Sequence, residues 1–186
     1  MAAALALSDD FLSGANVVEI AFLTDAFEPC YETEGYDVLP IAFRAPPQSH
    51  KLPRTWRRHA QKLIEYSHKN MCYSYDLAND AQRNVTRSTL RDVVVNDKYY
   101  LRALSEDVLP CHQFPCTTEV HHVAHIVRTL YTIHNRLVFT VDAVHEEKEG
   151  APYYTCTLRY THADNADRTK IKDILFDALL ALNLVI

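Results

Sequence analysis

Glycine is scarce in this chain, with only three among 186 residues: Gly14, Gly35 and Gly150. Backbone cradles for phosphate groups need several glycines close together, because side chains block the close approach of a phosphate. The sequence therefore disfavours nucleotide sites of the Walker and Rossmann types. The metalloprotease motif HExxH and the hydrolase motif GxSxG are also absent from the chain.

Long apolar runs are missing as well, and no stretch reaches the roughly 18 residues that a membrane-spanning helix needs. The N-terminal stretch MAAALALSDD has no Lys or Arg before its short apolar part, so it lacks the layout of a secretory signal. The five cysteines are scattered and odd in number, which favours free thiols over disulfides. We expect an intracellular protein of the cytoplasm or nucleus that does not contact membranes.

The hydrophobic pattern predicts an α+β fold with mainly antiparallel sheets and three helices, in the order ββαβ(ββ)αββα. Residues 1–110 form a predicted N-terminal α+β part, and residues 111–186 form an αββα part packed with it as one globular unit. Segment 87–104 fits a helix or a hairpin turning at Asn96-Asp97, and we favour the hairpin. The predicted strands are 16–24, 36–45, 71–77, 137–145 and 152–160, and the predicted helices are 53–68, one starting at 117 or 118, and one starting at 164 or 167 and running to about 182.

Positive charge is concentrated around the first predicted helix. Between Arg44 and Asn70 the chain has seven Lys or Arg and one acid, whereas the whole chain carries a net charge of −5. Such a helix face either binds an anionic partner or is simply solvated. The residues predicted to contact an anionic partner are Arg54, Arg57, Arg58, Lys62 and Lys69, together with Arg168 and Lys172 of the last helix.

The stretch CHQFPCTTEVHHVAH, residues 111–125, resembles a zinc site in its composition. Its candidate ligands are Cys111, Cys116, His121 and His125, with the two histidines one turn apart on a predicted helix. The gap between the cysteines is longer than in most structural zinc sites. Solvated histidines and small buried cysteines are the alternative, so we expect no cofactor and keep zinc as the exception.

The last predicted helix is apolar around most of its circumference. Phe176, Leu179 and Leu180 extend the apolar stripe beyond what one sheet covers. Either a second layer of this chain or a protein partner, which includes a second copy, covers these residues. We predict that they form a protein interface.

The stretch GAPYYTCTL, residues 150–158, lies between a predicted helix and a closing helix that carries Arg168, Lys170 and Lys172. Over residues 118–183 this order resembles a degenerate double-stranded-RNA-binding domain. The resemblance implies either RNA binding or, as in structural variants of that fold, protein docking.

Together these observations predict a non-enzymatic adaptor or complex subunit with no catalytic residues. Its C-terminal hairpin and helix would bind protein, and its basic helix would bind an anionic partner. A double-stranded-RNA-binding or RNA-processing subunit is the alternative, and a zinc-binding protein is the third interpretation.

Overall fold

The computed structural model describes residues 8–22, 57–94, 99–110, 122–134, 136–146, 153–162 and 168–181. These ranges contain eight strands and two helices, in the order α1, β1 to β8, α2. The strands are β1 (Val17–Phe22), β2 (Arg57–His68), β3 (Met71–Asp76), β4 (Ala81–Val94), β5 (Tyr99–Leu109), β6 (His122–His134), β7 (Leu137–Glu146) and β8 (Tyr153–Thr161). The helices are α1 (Asp9–Leu12) and α2 (Arg168–Ala181).

The eight strands form one closed barrel, in the order β1-β5-β4-β3-β2-β6-β7-β8. The barrel closes because β1 pairs with β5 on one side and with β8 on the other, both antiparallel. Closure gives the backbone of each strand a partner on both sides and removes exposed sheet edges. Of the described helices, none is long and apolar enough to cross a membrane.

The main hydrophobic core lies outside the barrel wall, under helix α2. On β8, Cys156, Leu158 and Tyr160 face this core. Ile171 and Leu175 of α2 belong to the same cluster and are almost fully buried. Because successive strand residues point to opposite faces, the alternate positions of β8 face the barrel interior.

Asn16 fixes the junction between α1 and the barrel. Its side-chain amide donates to the carbonyl oxygen of Glu106 at 2.6 Å and accepts from the Glu106 N–H at 2.8 Å. Its backbone carbonyl accepts from the N–H of His162 at 2.8 Å. These bonds hold the end of β5 in place beside the start of β1, which matters for the interior described below.

The predicted α+β fold with three helices is wrong. The predicted helix 53–68 is strand β2, and the helix predicted from 117 or 118 is strand β6. These two strands pair with each other from Arg57↔Thr132 to Ser67↔His122. This long ladder outweighs a modest local preference for helix.

Other predicted elements are confirmed. The C-terminal hairpin is β7 and β8, the closing helix is α2, and segment 87–104 belongs to the antiparallel pair β4 and β5. The strands predicted at 16–24 and 71–77 correspond to β1 and β3. The strand predicted at 36–45 lies outside the described residues.

The resemblance to a double-stranded-RNA-binding domain is also wrong. That arrangement needs a helix before the long hairpin, whereas residues 122–134 form β6 and pair with β2 and β7. The β7–β8 hairpin is therefore part of the closed barrel wall. From β6 to α2 the order of elements is βββα.

Candidate active site

The barrel encloses a cavity of about 580 Å³ that is lined by side chains from all eight strands. We call this cavity the lumen. Among the described residues that line it, ten are charged, and arginines outnumber carboxylates by six to four, in a protein that is acidic as a whole. The charged residues are Arg83, Arg87, Arg102, Arg128, Arg136, Arg159, Glu19, Glu65, Glu106 and Asp142.

Strand alternation places these charges together. On β4, Arg83 and Arg87 are four residues apart and so point to the same face. The same spacing separates Arg102 and Glu106 on β5. Cross-strand pairing then sets Glu106 directly opposite Arg87. The sequence therefore builds the site from residues that are distant along the chain.

Among the described residues, Glu106 is the centre of the largest ion-pair group. Its carboxylate accepts from Arg87 Nε at 2.6 Å and forms an ion pair with Arg159, and Arg83 lies 3.9 Å away. Burial raises the pKa of the Glu106 carboxyl, but the hydrogen bonds and charges of Arg159 and Arg87 outweigh that effect. The net result is a pKa below the ordinary value of 4.5. Glu106 is thus ionised and held by arginines.

Arg128 holds two further carboxylates. Its Nε and Nη2 donate to the two oxygens of Asp142 at 2.8 and 2.7 Å, and Nη2 also donates to Glu65 at 3.2 Å. Burial lowers the pKa of Arg128, but Asp142 and Glu65 outweigh it and raise the pKa above its usual range. The bidentate geometry fixes the guanidinium plane.

Cys72 lies beside this group, with its Sγ 3.9 Å from Oε2 of Glu65. Burial, and then the charge of Glu65, raise the pKa of the Cys72 thiol to about 11. The thiol therefore stays protonated at neutral pH and is a poor nucleophile.

Arg102 and Glu19 form the third group. Arg102 Nη1 donates to Glu19 at 3.3 Å, and its Nε donates to Asp92 at 3.2 Å. The guanidinium also lies 4.1 Å above the ring of Tyr100. These contacts fix a positive charge on the β5 side of the lumen.

A smaller apolar cluster adjoins the Arg128 group. It consists of Leu63, Ala124, Ile126 and Val144, with Tyr153 packed against it. Ile126 and Val144 are two residues from Arg128 and Asp142 on the same strand faces, and both line the cavity. Apolar neighbours lower the local dielectric constant, so the ion pairs of Arg128 are stronger here than they would be in bulk solvent.

Four carboxylates line the lumen, and carboxylates are common ligands of divalent cations. Oxygen-ligated cations need several carboxylate or carbonyl oxygens turned to one point. Here Glu19, Glu65, Glu106 and Asp142 each bond to an arginine. Within the described ranges no three His, Cys, Asp or Glu side chains are grouped to hold a metal. The lumen does not fit a protein-built metal cage.

The predicted contacts to an anionic partner lie elsewhere. Arg57, Lys62 and Lys69 are exposed, on β2 and on the turn after it, and none of them lines the lumen. Arg58 lies on β2, and Arg168 and Lys172 lie on α2, while Arg54 is outside the described residues. Their role in binding an anionic partner stays a prediction.

The predicted interface and zinc residues also lie outside the lumen. Phe176 is half-buried on α2, the helix that also contains Leu179 and Leu180, and the proposed interface stays a prediction. His125 is exposed on β6 rather than on a helix. The zinc prediction relied on two histidines one helical turn apart, and His125 is not on a helix. The other candidate ligands, Cys111, Cys116 and His121, fall outside the described residues.

The sequence interpretation missed all ten charged residues of the lumen as a site. One signal was present: Arg83, Arg87, Arg102 and Glu106 recur at even spacing within β-rich segments. Such spacing places charges on one face of a strand. This spacing predicts a binding site only when that face of the strand is known to point into the barrel.

Comparisons with known proteins establish what this barrel resembles. No protein-family profile matches the chain, and no curated protein matches it by sequence. Among solved structures, the RNA triphosphatase Pct1 of S. pombe superposes with a TM-score of 0.54 at 12% identity, over 90% of this chain and 84% of that one. The chain shares the barrel fold of that enzyme. The triphosphatase of the Mimivirus capping enzyme gives the same TM-score and identity, over 94% of this chain and 92% of that one.

At these identities the likeness establishes the fold alone. It nevertheless contradicts the expectation of a non-enzymatic adaptor, because both of these neighbours are RNA triphosphatases. It also replaces the double-stranded-RNA-binding resemblance. Of the interpretations drawn from sequence, RNA processing agrees best with these neighbours.

Proposed function

We propose that this chain acts on the 5′-triphosphate end of RNA, binding the triphosphate in the lumen and releasing its terminal phosphate. The observation that carries the proposal is the set of six arginines that line one cavity inside the barrel. Guanidinium groups bind phosphate oxygens in a bidentate manner and keep their charge at any physiological pH. The solved triphosphatases that share the fold support this choice of substrate.

The reaction is phosphoryl transfer to water. The water oxygen bonds to the terminal phosphorus, and the bond from that phosphorus to the bridging oxygen breaks. The electron pair stays on the bridging oxygen, so the products are inorganic phosphate and an RNA diphosphate end. The water proton passes to a base and then to solvent. Charge spreads over the terminal phosphate oxygens in the transition state, and fixed arginines stabilise that charge.

Arg83 and Arg87 are suited to contact the incoming phosphates. Their side chains are 60% and 41% exposed, whereas Arg159 is 19% exposed. Groups at the accessible part of the lumen meet a ligand first. Arg83 lies farthest from Glu106 of the three arginines, so its ion pair with Glu106 is the weakest of the three.

Glu65 is our candidate base. Its Oε1 accepts from Arg128 at 3.2 Å, whereas among the described residues its Oε2 accepts from the thiol of Cys72 at the longer distance of 3.9 Å. Asp142, by contrast, has both oxygens bonded to Arg128. A carboxylate oxygen that is weakly held can orient a water molecule and accept its proton.

The test is release of labelled phosphate from RNA that carries a 5′-triphosphate labelled at the terminal position. Wild type should release phosphate, Arg83→Gln should raise KM, and Glu65→Gln should lower kcat with little change in KM. Lys62→Ala is the matched control, because Lys62 is an exposed cation on β2 that does not line the lumen. Equal losses in Lys62→Ala and Arg83→Gln, or no release by wild type in any divalent cation or in EDTA, would contradict the proposal.

A further inference from the structure

The carboxylates of the lumen already have cationic partners. Glu106 is bonded to Arg87 and Arg159, Glu19 to Arg102, and both Glu65 and Asp142 to Arg128. A cation that entered the lumen would have to compete with these arginines for the same oxygens. It would also add positive charge to a cavity in which arginines are already in excess.

A polyphosphate has the opposite effect. It supplies the negative charge that the four carboxylates leave unmatched, and each phosphate offers oxygens in the geometry that a guanidinium fork accepts. Arg83 and Arg87 sit at exposed positions near Glu106, so their guanidinium groups can turn from the carboxylate to a ligand. The carboxylates then act as internal counter-ions that a ligand replaces.

We infer that the lumen binds the triphosphate through arginine alone, without a divalent cation, and that Glu106 is the counter-ion that the triphosphate displaces. The inference rests on the proposed function, since it concerns how the same lumen holds the same group. If Glu106 were a metal ligand, removing its charge would weaken triphosphate binding. If Glu106 is a counter-ion, removing its charge should strengthen triphosphate binding.

The first test measures the affinity of the full chain for tripolyphosphate by calorimetry, at matched ionic strength, in EDTA and in excess Mg²⁺ or Mn²⁺. We expect binding in EDTA that is as tight as in metal or tighter, because a metal-complexed phosphate carries less charge. An affinity that rises about tenfold or more when metal is added would overturn the inference. Absence of binding in both conditions would overturn it too.

The second test compares Glu106→Gln with wild type in EDTA. The amide keeps the size and one acceptor oxygen of the side chain but removes the competing charge. We expect tripolyphosphate to bind several-fold tighter to the variant and to raise its Tm by more than it raises that of wild type. Weaker binding by a folded variant would overturn the role of Glu106. Asp142→Asn, which removes another lumenal charge, is the companion variant if Glu106→Gln does not fold.

These results separate the inference from the proposed function. Metal-independent binding without phosphate release from RNA would support the inference and remove the hydrolytic function. Phosphate release together with binding that requires metal would support the function and remove the inference.

Discussion

The two faces of strand β8 differ in what they contribute. The outward residues Leu158 and Tyr160 pack into the core under α2, whereas the inward residues Thr155, Thr157 and Arg159 line the lumen. In most small proteins the apolar face is the inside. On β8 the apolar face is outside the wall and the polar face is inside, so the hydrophobic core and the charged lumen lie on opposite faces of the same strand.

The largest expected effect falls on the outer face. Leu175→Ala removes a fully buried side chain from the α2 contact and should lower the free energy of unfolding by about 2–5 kcal/mol. Chemical denaturation measures this loss, with Asp173→Ala on the exposed side of α2 as the control. A loss below about 0.5 kcal/mol, within the range of surface substitutions, would mean that α2 does not form the core.

Arg128→Gln is the matching change on the inner face. It leaves Asp142 and Glu65 without their guanidinium partner and should destabilise the fold by about 1–3 kcal/mol. The double variant Arg128→Gln with Asp142→Asn should recover part of that loss, since one of the two carboxylates is then neutral. A double variant that is less stable than the single one would show that Arg128 does not neutralise Asp142 in the folded protein.

Arg83→Gln should separate binding from stability. It removes an exposed guanidinium that lies 3.9 Å from Glu106, so unfolding should change by less than about 0.5 kcal/mol. Affinity for tripolyphosphate should fall about tenfold, as expected when one charged hydrogen bond is lost. Titration calorimetry and denaturation on the same sample measure both quantities. Unchanged affinity would place the ligand away from Arg83.

The smallest effect is a change in acid stability. The folded pKa of Glu106 lies below its ordinary value of 4.5, so the unfolded chain takes up a proton first as the pH falls. Its stabilising contribution is complete above pH 4.5 and is lost as the pH falls through the folded pKa. Glu106→Gln should therefore show a shallower loss of stability below pH 4.5 than wild type. Parallel curves would show that Glu106 does not contribute to acid unfolding.

The C-terminal hairpin and helix were predictable because their outer face is apolar and their inner face is polar. Leu137, Phe139 and Val141 alternate with Val138, Thr140 and Asp142, and that alternation marks a strand buried on one side. The helix α2 repeats Ile171, Leu175 and Ala178 at helical spacing. Both patterns come from contact with one core.

Strands β2 and β6 were not predictable in this way. On β2 the inward positions include Glu65 and Ser67, and many outward positions are solvated, so no face is consistently apolar. The apolar residues Leu63 and Ile64 nevertheless lie three and four residues after Ala60, which is the spacing expected of one face of a helix. On β6 the β-branched residues Val123, Ile126 and Val127 were a strand signal that the helical spacing outweighed.

The site itself depends on closure of the barrel. Arg87 and Glu106 come together because β4 pairs with β5, and Arg159 joins them only because β8 closes on β1, which in turn pairs with β5. No pattern of neighbouring residues in the sequence predicts that the barrel closes in this way. The division of the chain at residue 110 stays a prediction from sequence.

A crystal structure of the full chain with tripolyphosphate, grown in EDTA, tests the central claim most directly. We predict phosphate density inside the barrel, within hydrogen-bonding distance of Arg83 and Arg87, with the Glu106 carboxylate turned away from at least one of them. Phosphate bound only along Arg57, Lys62 and Lys69 on the outer surface, with an empty lumen, would contradict it.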